Sequence, residues 1–261
     1  MKVALTQMDI VWEDPERNRT TCATLVQQAA DASCDLIIFP EMTLTGFTMS
    51  PEHFYPNDDI GFFRSLASQH TITIAFGYIA KEDAFQNRLA IIDAQGNLLM
   101  DYAKLHPFTY GEETVHYTGG SRVQSVTWGQ SIVPNSFMIG ISGFICYDLR
   151  FPEIFQIASK QATIILLIAN WPESRIDHWY TLLKARAIEN QCYMLGVNRV
   201  GDGNGIHYIP SSAAYDPYGK LLTPEHCADS ILYAEIDPAV ALSYRESFPL
   251  KADRRSDLYE N

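Results

Sequence analysis

Three residues of this sequence are of types that perform acyl-transfer chemistry, and each follows an apolar run. Cys146 ends the run from Ile141 to Ile145 and opens Tyr147-Asp148-Leu149-Arg150, with Pro152 suited to the first turn of a helix. A cysteine at a strand-to-helix turn presents its sulfur at a bend, where backbone N–H groups and a helix dipole favour thiolate. Glu41 follows Leu36-Ile37-Ile38-Phe39 and Pro40. A carboxylate partly desolvated at the end of such a strand is a stronger base. Lys104 follows the run from Leu98 to Tyr102 and can reach the same rim. Taken singly, each has a plainer reading: an inert buried thiol, a loop acid, a solvated lysine. Taken together, they form a base, a cation and a nucleophile. Glu41 would take the thiol proton, Lys104 would stabilise a tetrahedral oxyanion, and Cys146 would form a thioester.

The elements that must position these residues can be read from the pattern. Lys2 to Met8 is a buried strand. Asp14-Pro15-Glu16 starts a helix, with cap, first-turn proline and first-turn acid in order. Cys22, Leu25, Val26, Ala29 and Ala30 then form one apolar stripe, which makes Cys22 a core residue. Leu36 to Phe39 is a second strand. A helix over Ile60–His70 leads to a strand over Thr71–Ile79, and a hairpin pairs Arg88–Asp93 with Leu98–Tyr102. Thr109 to Gly120 reads as a polar loop carrying Glu112, Glu113 and His116, and such loops are often functional. Strand-like runs over 136–145 lead into Cys146, followed by a helix over Pro152–Lys160 and an apolar strand over Thr163–Ala169. A helix over His178–Gln191 places Arg186 near its inward face, where it should pair with a carboxylate. Strands over Tyr193–Asn198 and Ser230–Ile236 and a helix over Pro238–Glu246 complete the set. Alternating strands and helices with hairpins predict α/β layers over one large core, and the absence of a linker predicts a single domain over 1–261.

Composition narrows the partners. The chain has 261 residues, is 47% hydrophobic and carries a formal net charge of −12. That charge argues against nucleic acid or an anionic membrane as partner. The five cysteines form no CxxC pair, and their odd count and wide spacing argue against both a disulfide framework and a zinc site. The N-terminus lacks the apolar core of a signal peptide, so a cytoplasmic protein is expected.

Three segments resemble the motifs of the nitrilase superfamily of carbon–nitrogen hydrolases: FPEMTLTGF around Glu41, KLHPF from Lys104, and CYDLRFPE from Cys146. KARAIENQCYMLGVNRVG, from Lys184 to Gly201, is similar to the family's late helix and strand, so the resemblance covers almost the whole chain. It is strongest toward the ω-amidase branch, through the TGF, CYDLRFP, NWP and KARAIENQ text. The resemblance implies a four-layer α-β-β-α sandwich, often paired as a homodimer. It implies hydrolysis of the terminal amide of α-ketoglutaramate or α-ketosuccinamate, with no metal or cofactor. It further implies an oxyanion hole from Lys104 and the backbone N–H of Tyr147, and a second glutamate, for which the loop offers Glu112 and Glu113, with Glu113 favoured. A keto-dicarboxylic substrate needs a cation facing its carboxylate. Arg175 is the candidate, with Arg150 expected in a buried ion pair and Phe47 and Trp171 as pocket walls. Rival readings are an amidase for N-carbamoyl amino acids or deaminated glutathione, an inactive binding protein on the same fold, a metal-dependent amidohydrolase, and a Cys–His hydrolase using His116.

Overall fold

The computed structural model describes residues 1–129, 139–224 and 227–258. Two sheets lie face to face with helices on their outer sides. The first sheet contains β1 (Lys2–Thr6), β2 (Leu36–Ile38), β3 (Thr73–Lys81), β4 (Phe85–Ile92), β5 (Leu98–Ala103) and β13 (Ile231–Glu235), in the order β13-β1-β2-β3-β4-β5. Its centre is parallel, β1 to β2 to β3, and its edges are antiparallel. The second sheet contains β6 (Ser125–Trp128), β7 (Ile139–Ile145), β8 (Ile164–Ala169), β9 (Tyr193–Asn198) and β12 (Ala213–Tyr215), in the order β12-β9-β8-β7-β6. Here β7, β8 and β9 run parallel. A separate hairpin, β10 (Gly201–Gly203) with β11 (Ile206–Tyr208), follows β9.

Side-chain alternation decides which layer each strand face meets. Val3, Leu5, Leu36, Ile38, Leu89 and Ile91 point from the first sheet toward Ile141, Ile145 and Leu166 of the second, in one continuous core. The opposite residues of the first sheet, Ala4, Ile37, Phe39, Ile74 and Phe76, pack under α1 (Pro15–Asp31) and α2 (Asp59–His70). Phe63 of α2 stacks on Phe76 with ring centroids 3.9 Å apart. On the far side, α4 (Pro152–Ala158) and α5 (Ile176–Asn190) cover the second sheet with Phe155, Trp179 and Leu183. The layers are therefore α-β-β-α, as expected.

Asp14 caps α1 by accepting from Arg17 N–H, Pro15 opens that helix, and Cys22 is fully buried on its inner stripe. Arg186 finds its carboxylate in Glu189 at 2.9 Å and also donates to the Leu149 carbonyl. The loop expected over Thr109–Gly120 is in part regular: a 3-10 turn at Thr109–Gly111 and the short helix α3 (Glu113–His116). Of the expected 136–145 runs, residues 136–138 lie outside the described residues. The last helix is α6 (Pro238–Ser247). Among the described residues, no helix is long and apolar enough to cross a membrane.

Candidate active site

The parallel strands β2 and β8 end side by side from opposite sheets, and the site is built where they stop. Beyond Ile38 the chain turns through Pro40-Glu41-Met42, with Met42 in the left-handed region at φ 45°. The turn is pressed against β3. A Cβ at Gly77 would come within 2.4 Å of Met42 N and 2.8 Å of Glu41 Cα, so glycine is required there. Gly77 N–H in turn donates to Thr43 Oγ1. This fixes Glu41 with its carboxylate wholly buried.

Both oxygens of Glu41 are held. Oε1 accepts from Lys104 Nζ at 2.9 Å and from Asn87 Nδ2 at 2.7 Å. Oε2 accepts from the Asn170 backbone N–H at 2.9 Å and its side-chain Nδ2 at 3.3 Å. Lys104 Nζ reaches Glu113 Oε2 at 2.8 Å, and Asn87 Nδ2 reaches Glu113 Oε1 at 2.9 Å. Glu41, Lys104, Glu113 and Asn87 therefore close a ring. Burial opposes the charge on Lys104, but the carboxylates of Glu113 and Glu41 overcome it and hold the ammonium well above the ordinary lysine range. Glu113 also accepts from Phe108 N–H at 2.6 Å, tying the loop to the ring. Glu113, not Glu112, is the glutamate brought to the site: Glu112 is exposed, in the turn before α3.

Cys146 begins a 3-10 turn, Cys146–Arg150, immediately after β7, with its own φ at +46°. The turn is anchored by Asp148, which is fully buried. Its carboxylate accepts from Ile145 N–H at 3.1 Å, Tyr102 OH at 2.8 Å and His106 N–H at 3.0 Å. Tyr102 and His106 flank Lys104, so one carboxylate sets the Cys146 turn against the lysine segment. Cys146 Sγ lies 3.9 Å from the Asn170 carbonyl oxygen. Its ionisation differs from the thiolate expected at such a turn. Burial and the Glu41 carboxylate push the thiol well up, by more than Lys104 draws it down. At rest these surroundings favour the thiol over the thiolate.

A cavity of about 420 Å³ opens over this group, lined by Cys146 and Glu41 together with Phe47, Tyr147, Trp171 and Arg175. Lys104 and Glu113 are buried beside it, with Lys104 Nζ 5.3 Å from the centroid of the Phe47 ring. Arg175 lies over Phe108, its guanidinium carbon 5.7 Å from the ring centroid. Arg150 is not in the buried ion pair expected of it. It is half-buried, lines the same cavity, stacks over Trp171 at 5.0 Å and approaches His178 Nδ1 at 3.3 Å. Among the described residues neither arginine has a carboxylate within ion-pair distance. His116 closes α3 and is not part of the cavity lining. Three site residues escaped the sequence reading: Asn87, Asn170 and Tyr208. Asn170 alone left a signal, standing at the end of an apolar strand as Glu41 nearly does. Among the described residues, no group of three or more His, Cys, Asp or Glu side chains is placed to hold a metal ion.

Known proteins are similar to this chain over nearly their full length. The 2-oxoglutaramate amidase of Bacillus subtilis is 30% identical over 264 residues, covering 98% of each chain. The omega-amidase YafV of Escherichia coli K12 is 33% identical over 259 residues, covering 97% of this chain and 96% of that one. Among solved structures, a CN-hydrolase superfamily protein of Xanthomonas campestris, with an arsenic adduct in its active site, superposes with a TM-score of 0.87 at 29% identity, covering 97% of each chain. The family model for carbon-nitrogen hydrolases matches residues 2–246, a span that takes in both sheets and every residue of the buried ring. The chain belongs to the carbon–nitrogen hydrolase family and is a hydrolase of non-peptide carbon–nitrogen bonds.

Proposed function

We propose that this amidase is an ω-amidase, hydrolysing the terminal carboxamide of a small keto-dicarboxylic monoamide such as α-ketoglutaramate or α-ketosuccinamate. One observation carries the reading. The cavity that exposes Cys146 also holds Arg150 and Arg175, two cations without carboxylate partners among the described residues, in a chain of net charge −12. A neutral amide needs neither, whereas the far carboxylate of such a substrate needs one.

The steps follow from the placement of the groups. Glu41 takes the Sγ–H proton as sulfur attacks the carboxamide carbon, which suits a thiol whose own ionisation is suppressed. Lys104 has a third N–H beyond the two given to Glu41 and Glu113. With the Tyr147 N–H, one of the amides that the start of a helical turn leaves free, it stabilises the oxyanion. Collapse breaks the C–N bond, Glu41 returns the proton to nitrogen, and ammonia leaves a thioester on Cys146. Glu41 then takes a proton from water, whose oxygen attacks the thioester carbon, and the proton returns to sulfur as the C–S bond breaks. Glu113 keeps Lys104 charged throughout. Phe47 and Trp171 form apolar walls along the substrate chain, and Arg175 faces its carboxylate.

The test is ammonia release from α-ketoglutaramate by the wild type and by Cys146→Ala. Release by the wild type alone supports the reading. Release from N-carbamoyl amino acids or deaminated glutathione, with none from α-ketoglutaramate, overturns it in favour of another amide. Silence toward all of them points to a binding protein on this fold.

A further inference from the structure

The hairpin β10–β11 delivers to the cavity one polar side chain that the proposed chemistry leaves without a task. Tyr208 is 2% exposed, yet it lines the cavity with Cys146 and Arg175. Its hydroxyl makes no hydrogen bond among the described residues, and its oxygen is not one of the sealed, unpartnered polar atoms of the core. What little of Tyr208 meets solvent therefore includes that oxygen. The ring is fixed from beneath. Arg199, fully buried, lies 4.7 Å from its centroid. Arg199 also donates to the carbonyls of Ile10 and Asp202, both at 2.9 Å, which fastens the hairpin to the body of the protein. A Cβ at Gly203 would come within 2.6 Å of the Arg199 guanidinium, so the fit depends on glycine there. A phenol so buried normally finds a partner. Here the donor is preset and its acceptor must come from what enters the cavity.

We propose that Tyr208 is a specificity-determining residue, whose hydroxyl donates to an oxygen at the oxo-acid end of the substrate while Arg175 supplies the countercharge. Tyr208, Cys146 and Arg175 line the same cavity, so a substrate that reaches from the thiol to the guanidinium passes within the space that the phenol borders. A hydroxyl donor with a guanidinium reads a carbonyl or carboxylate oxygen and rejects a plain alkyl chain, because an alkyl chain leaves the buried hydroxyl unpaired. This inference rests on the ω-amidase reading and adds the group that selects the acid.

The test is Tyr208→Phe, which removes one oxygen and keeps the ring on Arg199. With α-ketoglutaramate, KM rises about tenfold or more while kcat stays within about twofold, the signature of lost binding rather than lost chemistry. The rate at which iodoacetamide alkylates Cys146, followed by mass spectrometry, stays within about twofold of wild type, because that reagent has no oxo-acid end. An unchanged KM in an active enzyme overturns the inference alone. So does alkylation slowed in step with turnover, which would place Tyr208 in service of the nucleophile. A wild type that releases no ammonia from α-ketoglutaramate removes the ω-amidase reading and this inference with it.

Discussion

Lys104 Nζ lies 2.8 Å from Oε2 of Glu113, and both side chains are sealed from solvent. The same ammonium is 2.9 Å from Glu41, so one cation balances two buried carboxylates. The two ends of this arrangement are not equivalent. Glu113→Gln leaves a one-to-one pair of Lys104 and Glu41 and keeps the hydrogen-bonding shape, so the fold survives. Lys104→Met leaves two carboxylates with no cation, and stability falls by about 3–5 kcal/mol. Urea unfolding checks the order: the Lys104 variant must lose much more than the Glu113 variant. Both lose activity, because Glu113 holds Lys104 in place.

Asn87 closes the ring by donating to both carboxylates, and its own Oδ1 is buried without a partner. An acceptor left unsatisfied in this way is a cost that the two donated bonds offset. Asn87→Asp has almost the same shape but turns a donor into a third carboxylate facing Glu41 and Glu113. Turnover by this variant is expected to fall at least 100-fold. An Asn87→Asp enzyme with near-normal kcat would show that the amide does not organise the site.

Cys146 sits at φ +46°, a conformation that side chains with a Cβ adopt at a cost. Cys146→Ala keeps the Cβ and the strain, whereas Cys146→Gly releases it. Both are inactive. The glycine variant is expected to be more stable than the alanine variant by about 1 kcal/mol in urea titrations, a reversal of the usual ranking of these residues. Equal stabilities would mean that the surrounding turn, and not this residue, stores the strain.

Glu41, Lys104 and Cys146 were legible because each follows a run apolar enough to recognise, and because their flanking text is distinctive. The helices were legible for the same kind of reason: Asp14 and Pro15 announce α1 before its stripe begins. What the sequence hid has a physical cause in each case. The strands β10, β11 and β12 have three residues each, too short to show a period, so the hairpin carrying Tyr208 left no trace. Asn87 lies inside a hairpin strand, where an amide looks like any outward polar residue, and only the pairing of β4 with β5 reveals that it faces Lys104. The ionisation of Cys146 was misjudged because a helix dipole can be read from sequence, but a neighbouring carboxylate 105 positions away cannot, and burial with that carboxylate wins.

The C-terminal segment supplies a prediction independent of the reaction. Lys251 donates to the Ser159 carbonyl just beyond α4, where burial and the neighbouring Arg245 push its pKa down to about 8. In the unfolded chain the amine returns to the ordinary lysine range. Between about pH 8 and that range, the unfolded state holds a proton that the folded state has lost, so this group makes stability rise with pH across that window. Lys251→Met cannot titrate. Its stability relative to wild type is therefore most favourable below pH 8 and declines by pH 10, as measured by urea unfolding at each pH. A difference between the two proteins that is independent of pH would show that Lys251 keeps an ordinary pKa in the fold.

The two cavity arginines invite a direct comparison, because they are held differently. Arg150 stacks on Trp171 and leans on His178, and it belongs to the turn that carries Cys146. Arg175 belongs to the turn before α5, and its backbone carbonyl accepts from Trp171 Nε1 at 2.8 Å. That bond persists in any side-chain variant, so Arg175→Gln leaves the wall formed by Trp171 in place. Its effect falls on the guanidinium alone. A carboxylate losing a charge-assisted partner gives up roughly 1.5–3 kcal/mol, about 10- to 150-fold in kcat/KM. The loss should appear in KM and should vanish for an uncharged amide of the same length. Arg150→Gln disturbs the nucleophile turn and should lower kcat for charged and uncharged amides alike. If Arg150→Gln shows the charge-selective loss and Arg175→Gln does not, the substrate carboxylate lies against the nucleophile turn, and the assignment of the two cations is reversed.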